Sequence, residues 1–385
     1  MRRLLLLVGA IVLVDLMFYA AITPLLPWYA DRFDLSKTGA GVLAGSYAAG
    51  TLLGALPSGW LATRLGARRT VLIGLVLMSM ASVVFAFAQS IVLLDASRFL
   101  QGIGGACTWA GGLGWLISAT PVEERGATIG KAMSAALFGL LLGPALGALA
   151  REIGPEIPFV GVAVLGVVLI GAALRIPAPA IPAVVERPLA LALRDGAIRF
   201  GMLLVLVPAL VFGAVEVLVP LALDDVGATS LAIAATFLVA AAIEAGAQIL
   251  AGRAADRHGR IWPLRIGFAG GVVLLLVLPL PQVVWLLAAV TTVTCVVVGA
   301  INTPAMALLS DQVEAARLDQ GFGFALVNLV WAGGQVVGTI AGGVLSGATS
   351  DAVVYAVLAG ACALTLLALV RVGGRTRVPD YAAAP

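Results

Sequence analysis

Three ionisable side chains sit deep inside long apolar runs: Asp15 in LVDLMFYAAITPLLP, Arg98 in SRFLQGIGG and Glu216 in AVEVLVPL. At bilayer depth such a group costs at least about 2.5–3.5 kcal/mol on insertion scales, so each needs a partner or a purpose. A carboxylate removed from water requires a compensating positive charge, and a proton, an organic cation or Arg98 can supply it. If proton and cation take turns on Asp15 and Glu216, their mutual exclusion couples the movement of one to that of the other. The alternative is a buried ion pair between Arg98 and a carboxylate that only fixes helix packing, and loss of either partner would then also be damaging.

Other polar groups in the apolar runs extend this set. Glu244 either lines a cavity or snorkels to an interface. Asn302, Asn328, Gln101, Gln248 and Gln335 either bind ligand or bridge helices, the latter for about 0.6 kcal/mol each. Tyr19, Tyr47, Trp109 and Trp115 are candidates for cation-π contact with an organic amine, or for ordinary packing.

Helices must carry these groups. The chain has 385 residues, 61% hydrophobic and 11% charged, whereas soluble domains are about 45–50% apolar and about 25% charged. Apolar runs of the length that crosses a bilayer predict spans near 4–28, 38–62, 70–89, 91–117, 128–149, 157–175, 199–223, 229–253, 262–280, 284–309, 319–346 and 351–371. The opening run could be a signal peptide. It has no small-residue cleavage site and carries Asp15, so it reads as the first span. At 1.5 Å per residue Asp15 lies about 16 Å along that helix from Leu4, near the midplane, and Glu216 and Arg98 reach the same layer. Pro24, Pro27, Pro144, Pro220 and Pro304 would kink spans near the mouths of a cavity.

Of the 23 Lys and Arg residues, 19 fall on the side of the two termini, which the positive-inside rule makes cytoplasmic. Basic residues confined to loops argue against a nucleic-acid surface. Cys107, Cys295 and Cys362 lie inside apolar helices, and His258 stands alone in a polar loop, so no disulfide framework, metal site or cofactor is expected. No nucleophile, base and orienting group recur at a plausible spacing, so an enzyme is not expected either.

The chain repeats itself. SGWLATRLGARRTVLIG from Ser58 and AGRAADRHGRIWPLRIG from Ala251 are two small basic knots. Laying Pro27–Gly66 over Pro220–Gly259, an offset of 193, needs no gap and matches Asp31 with Asp224, Gly59 with Gly252, Arg64 with Arg257 and Gly66 with Gly259. Gly139, Gly143 and Gly147 likewise match Gly334, Gly338 and Gly342, at the spacing that lets backbones approach closely. The expected fold class is therefore an all-α membrane protein of twelve transmembrane helices in two six-helix bundles related by pseudo-twofold symmetry. The expected boundaries are 1–175 for the first bundle, 176–198 for a Pro-rich cytoplasmic linker, 199–371 for the second bundle and 372–385 for a cytoplasmic tail.

These motifs resemble the major facilitator superfamily. GWLATRLGARR, with Gly59, Thr63, Arg64, Gly66 and Arg68, is similar to its signature loop, and GRAADRHGR, with Gly252, Asp256, Arg257 and Gly259, to the later copy. RFLQGIGG resembles the fourth-span motif of proton-coupled exporters, and GLLLGPALG, with Gly139, Gly143, Pro144 and Gly147, the fifth-span motif of antiporters. The surroundings of Asp15, Arg98, Glu123 and Glu216 resemble the drug:proton antiporter branch, which includes the vesicular monoamine transporters and bacterial multidrug exporters. Asn302 and Asn328 stand where the vesicular transporters carry carboxylates, and Thr63 stands where the superfamily usually has Asp.

The resemblance implies a proton-coupled antiporter that exports lipophilic, cationic small molecules by alternating access, as a monomer in the cell membrane. Asp15, Arg98, Glu216, Asn302, Asn328, Tyr19, Glu244 and Trp109 would form its substrate and proton site. The knots would act as a conformational latch, the first weakened by Thr63. Two rival readings stand: a sugar or metabolite exporter of the same superfamily, and a membrane receptor that keeps the fold without transport.

Overall fold

Large apolar side chains cover the outside of this molecule as well as its core: Leu231, Trp285 and Leu364 are 71, 72 and 70% exposed. A soluble surface avoids apolar patches on that scale, and a bilayer accepts them. The computed structural model describes residues 2–121, 124–178, 193–316 and 320–373, and among these it is all helical. The first span comes in two pieces, Arg2–Ala20 and Ile22–Arg32. Spans two to six are Lys37–Leu65, Ala67–Ala86, Ile91–Ser118, Arg125–Ile153 and Glu156–Leu174. Spans seven to twelve are Gly196–Asp225, Ser230–His258, Ile261–Val277, Val284–Ala315, Gln320–Ala348 and Asp351–Gly373. Each of the twelve expected spans is matched, and ten are long and apolar enough to cross a membrane. The ninth is 17 residues long, and the fourth is diluted by glycines, Arg98 and Gln101. Most of the expected linker and nearly all of the expected tail lie outside the described residues.

The repeat extends to backbone geometry. Gly66 and Gly259 follow spans two and eight with φ of +88° and +81°, a conformation that only glycine adopts without strain. Asp34 and Gly227, at the same offset, both have positive φ, 49° and 87°. Two positions later, the Ser36 hydroxyl accepts from Gly39 N at 3.3 Å and the Thr229 hydroxyl from Ala232 N at 3.2 Å, capping equivalent helices.

Packing repeats too. A Cβ on Gly139, Gly143 or Gly147 of the fifth span would strike Leu13, Met17 or Ala21 of the first. One on Gly334 or Gly338 of the eleventh would strike Ala209 or Leu210 of the seventh, and one on Gly342 would press on Ala214. Pro24 offers no N–H to the Ala20 carbonyl and crowds it, and the first span breaks at Ala21. The fifth span's glycines nest against that break, where Gly147 faces the Pro24 ring.

With twelve spans both termini share one end, here called the terminal end. The two halves meet at the other, distal end, where Lys37 Nζ pairs with Asp351 Oδ1 at 2.7 Å and Ser346 donates to the same oxygen. Below this pair the second span lies backbone to backbone on the eleventh. A Cβ on Gly41 or Gly45 would strike Thr339, and one on Gly343 the Lys37 carbonyl. Toward the terminal end the second span leaves its partner: Gly54 packs on Ile103 and Ala106 of its own half, nothing lies near Gly59, and Trp60 is exposed.

Candidate functional site

The polar groups of the apolar runs converge around Tyr19. Its hydroxyl donates to Glu216 Oε2 at 2.7 Å and accepts from Gln335 Nε2 at 3.1 Å, joining spans one, seven and eleven across the two halves. Its ring lies 4.8 Å from that of Tyr47 and 6.2 Å from that of Trp331. One helical turn away, Asp15 is fully buried and accepts on Oδ2 from Trp109 Nε1 at 2.7 Å and from the Tyr47 hydroxyl at 3.1 Å. Asp15 Oδ1 and Glu216 Oε1 are buried without partners.

Arg98, also fully buried, donates to Gln101 Oε1 at 2.7 Å, to the Phe18 carbonyl at 3.3 Å and to the Tyr19 carbonyl at 3.2 Å. Both carbonyls belong to the last turn before the break at Ala21. The guanidinium lies over the rings of Tyr19 and Tyr47, at 5.8 and 5.2 Å. Among the described residues no carboxylate oxygen lies within ion-pair distance of it. The direct ion pair weighed as an alternative is thus absent from this arrangement. Arg98 stands between two carboxylates with the two tyrosine rings interposed.

A cavity of about 240 Å³ opens on the Glu216 side of Tyr19. Thr23, Glu216, Glu244, Gln248, Asn302 and Gln335 supply its polar lining, and Tyr19, Phe212, Phe237 and Trp331 its aromatic lining. Among the described residues that line it, none is Lys, Arg or His. Glu244 is held by Gln248 Nε2 at 2.9 Å and rests on Gly299, where a Cβ would collide with it.

The expected site residues divide. Tyr19, Glu216, Glu244 and Asn302 line the cavity, while Asp15, Trp109 and Arg98 lie behind Tyr19 and Tyr47, outside the lining. Asn328 is exposed and outside the lining as well. It precedes Gln335 by seven residues, so it shares that helix face about 10 Å nearer the terminal end. Trp115 is buried in an apolar cluster with Leu4 and Val8 and belongs to packing. Phe212, Phe237 and Trp331 were not anticipated, although Trp331 is one turn before Gln335 and so could have been read onto its face. Gly105 was also missed: a Cβ there would come within 3.1 to 3.2 Å of both Asp15 oxygens and the Tyr47 hydroxyl.

The two knots are unequal and each binds within its own half. In the first, the exposed Thr63 hydroxyl turns back to the Trp60 carbonyl at 2.9 Å, Arg64 lies 5.7 Å from the Trp60 ring, and Arg68 donates to the Ile176 carbonyl at 3.3 Å. In the second, Arg260 joins Asp256 at 2.6 Å to Asp311 of the tenth span at 3.2 Å. Among the described residues no hydrogen bond or ion pair from either knot crosses to the other half. Glu123 lies outside the described residues.

Comparison with known proteins fits this architecture. The profile of the Major Facilitator Superfamily matches residues 8–316 and 201–384, and the chain belongs to that family. It is similar, at 36% identity over 146 residues, to the MFS-type transporter ppzB of Metarhizium majus, a stretch covering 36% of this chain and 32% of that protein. It is 36% identical over 170 residues to the probable vesicular acetylcholine transporter-B of Danio rerio, covering 41% of this chain and 34% of that one. It is also 36% identical over 120 residues to the synaptic vesicular amine transporter of Homo sapiens, covering 31% and 23%. The matched stretches thus span about a third or less of these relatives.

Two solved structures share the fold. A bacterial homologue of the human lysosomal transporter Spinster, in an inward-facing and unoccupied conformation, superposes with a TM-score of 0.74 at 16% identity over 96% of this chain and 95% of that one. The xylose transporter XylE from E. coli, partially occluded and inward-open, gives 0.75 at 15% identity over 100% and 99%. The chain accordingly has the multi-pass membrane fold of this superfamily.

Proposed function

We propose that this chain is a proton-coupled antiporter that exports lipophilic, cationic small molecules. The observation that carries the reading is the cavity beside Tyr19, with aromatic walls, the carboxylates Glu216 and Glu244, and no basic side chain among its described lining residues. Aromatic faces and carboxylates attract organic cations, and the apolar walls favour lipophilic ones. Protonation would neutralise the same carboxylates, so a proton and a cation compete there. Asp15, held by Trp109 and Tyr47 behind the cavity, would bind the coupled proton, with Arg98 between the two layers. Likeness to a vesicular amine transporter supports the cationic substrate.

The two bundles would rock about this layer, in the cell membrane, with both termini cytoplasmic. On that orientation the closed distal end and the uncrossed knots describe an inward-facing carrier. A sugar or metabolite exporter is the second reading, favoured by the amides Gln248, Asn302 and Gln335 in the lining. The test is substrate-driven proton movement in liposomes, comparing the native chain with Asp15→Asn. Coupling unchanged by the substitution would sink the assignment, and binding of neutral sugars in preference to amines would favour the rival.

A further inference from the structure

Two carboxylates share one cavity, and they sit on different walls of it. Glu216 comes from the seventh span and is tied to the first and eleventh through Tyr19 and Gln335. Glu244 comes from the eighth and rests on Gly299 of the tenth. Each belongs to its own polar corner, the first made with Gln335 and the second with Gln248.

The first corner holds two acceptor atoms that its own donors leave unpaired. Glu216 Oε1 and Gln335 Oε1 are both buried without a partner. The two side chains meet at the Tyr19 hydroxyl, and both line the cavity. Buried acceptors without a donor are costly to leave so. A protonated amine that enters beside Glu216 would bring N–H groups as well as a charge to this corner, whereas a fully methylated ammonium would bring the charge alone. The second corner then holds a second negative charge for which the described lining offers no positive partner.

We infer that the cavity is built for a diamine: one protonated, hydrogen-bearing amine at Glu216 and Gln335, and a second positive end at Glu244. This rests on the cation-export reading above and narrows it. Phe212, Phe237 and Trp331 on the cavity wall would face the apolar spacer between the two charges.

The experiment is equilibrium binding to the purified full-length chain in nanodiscs. The probes are α,ω-diaminoalkanes of graded length, the matching monoamines, and the bis-trimethylammonium analogue of the best diamine. The native chain should bind the best diamine at least about tenfold more tightly than its monoamine, the scale expected of a close charge pair. The bis-trimethylammonium analogue should fall below the diamine. Glu244→Gln should cost the diamine at least about tenfold more affinity than it costs the monoamine, and so bring the two close together. Glu216→Gln should weaken both. Glu244→Asp, which keeps the charge, should retain part of the diamine preference and shows that loss in Glu244→Gln is not misfolding.

Equal binding of diamine and monoamine by the native chain, or loss of both in Glu244→Gln with the Asp variant intact, would overturn the inference and leave amine export standing. Failure of every amine to bind would overturn both.

Discussion

The Tyr19 hydroxyl reaches from the first half of the molecule to Glu216 in the second, donating at 2.7 Å. Tyr19→Phe removes that bond and the one from Gln335 while keeping the ring against Tyr47 and Trp331. A hydrogen bond to a charged group contributes about 1.5–3 kcal/mol, so amine binding should weaken roughly 10- to 100-fold. Titration with an organic amine in nanodiscs checks this, and affinity within twofold of native would show that the hydroxyl does not position Glu216.

Gly105 leaves just enough room for Asp15. A Cβ there crowds both Asp15 oxygens and the Tyr47 hydroxyl at 3.1 to 3.2 Å, so Gly105→Ala should displace the carboxylate from Trp109 or Tyr47. Substrate-driven proton movement should slow by about tenfold, the loss expected from one charge-assisted hydrogen bond. Gly114→Ala on the same helix meets nothing within 4 Å and should leave the rate unchanged. Equal behaviour of the two variants would remove the argument.

At the distal end, the Lys37–Asp351 pair bridges the halves at 2.7 Å with side chains 33 and 21% exposed. A partly exposed pair contributes about 0.5–1 kcal/mol. Lys37→Ala should therefore shift the carrier toward distal opening, with alkylation of Thr339→Cys about two- to fivefold faster. Exchanging the charges, Lys37→Asp with Asp351→Lys, should restore the slow rate. A rate that ignores both changes would mean the pair is incidental to closure.

Thr63 carries no charge where Asp256 pairs with Arg260, and the residue four beyond Thr63 is Ala67 rather than an arginine. A carboxylate introduced by Thr63→Asp thus finds no such partner in its own knot. It is left to the helix ends that approach when the terminal end closes, an effect of about 0.3–1 kcal/mol. The same Thr339→Cys reporter should then label faster, because closure at one end opens the other. No change in labelling would argue that the first knot is not a latch.

The span limits could be read from the chain because they rest on local signals. Apolar runs begin just after Ser36, Ser90, Asp195 and Thr229, each of which caps the helix that follows. The offset of the repeat likewise predicted the paired glycines at the ends of spans two and eight. The membership of the polar layer was legible too, since an acid, an arginine or an amide in such a run stands out.

What the sequence could not show is the order within that layer. Whether Asp15 faces the cavity depends on Tyr47, 32 residues on, and Trp109, 94 residues on, closing over it. Whether Arg98 pairs with an acid depends on the backbone carbonyls of Phe18 and Tyr19, which no side-chain pattern reveals. Asn328 looked equivalent to Asn302 by type, and only the axial position of the cavity separates them.

Gly41 and Gly343 bring the main chains of the second and eleventh spans together, and the side chains of Thr339 and Ile340 fill the space at Gly45. A water molecule needs a pocket of its own and several polar partners, and glycine backbones at this separation leave neither. On the antiport reading this contact would act as an insulator as well as a gate: with no thread of waters through it, a carrier waiting without cargo would not discharge the proton gradient there.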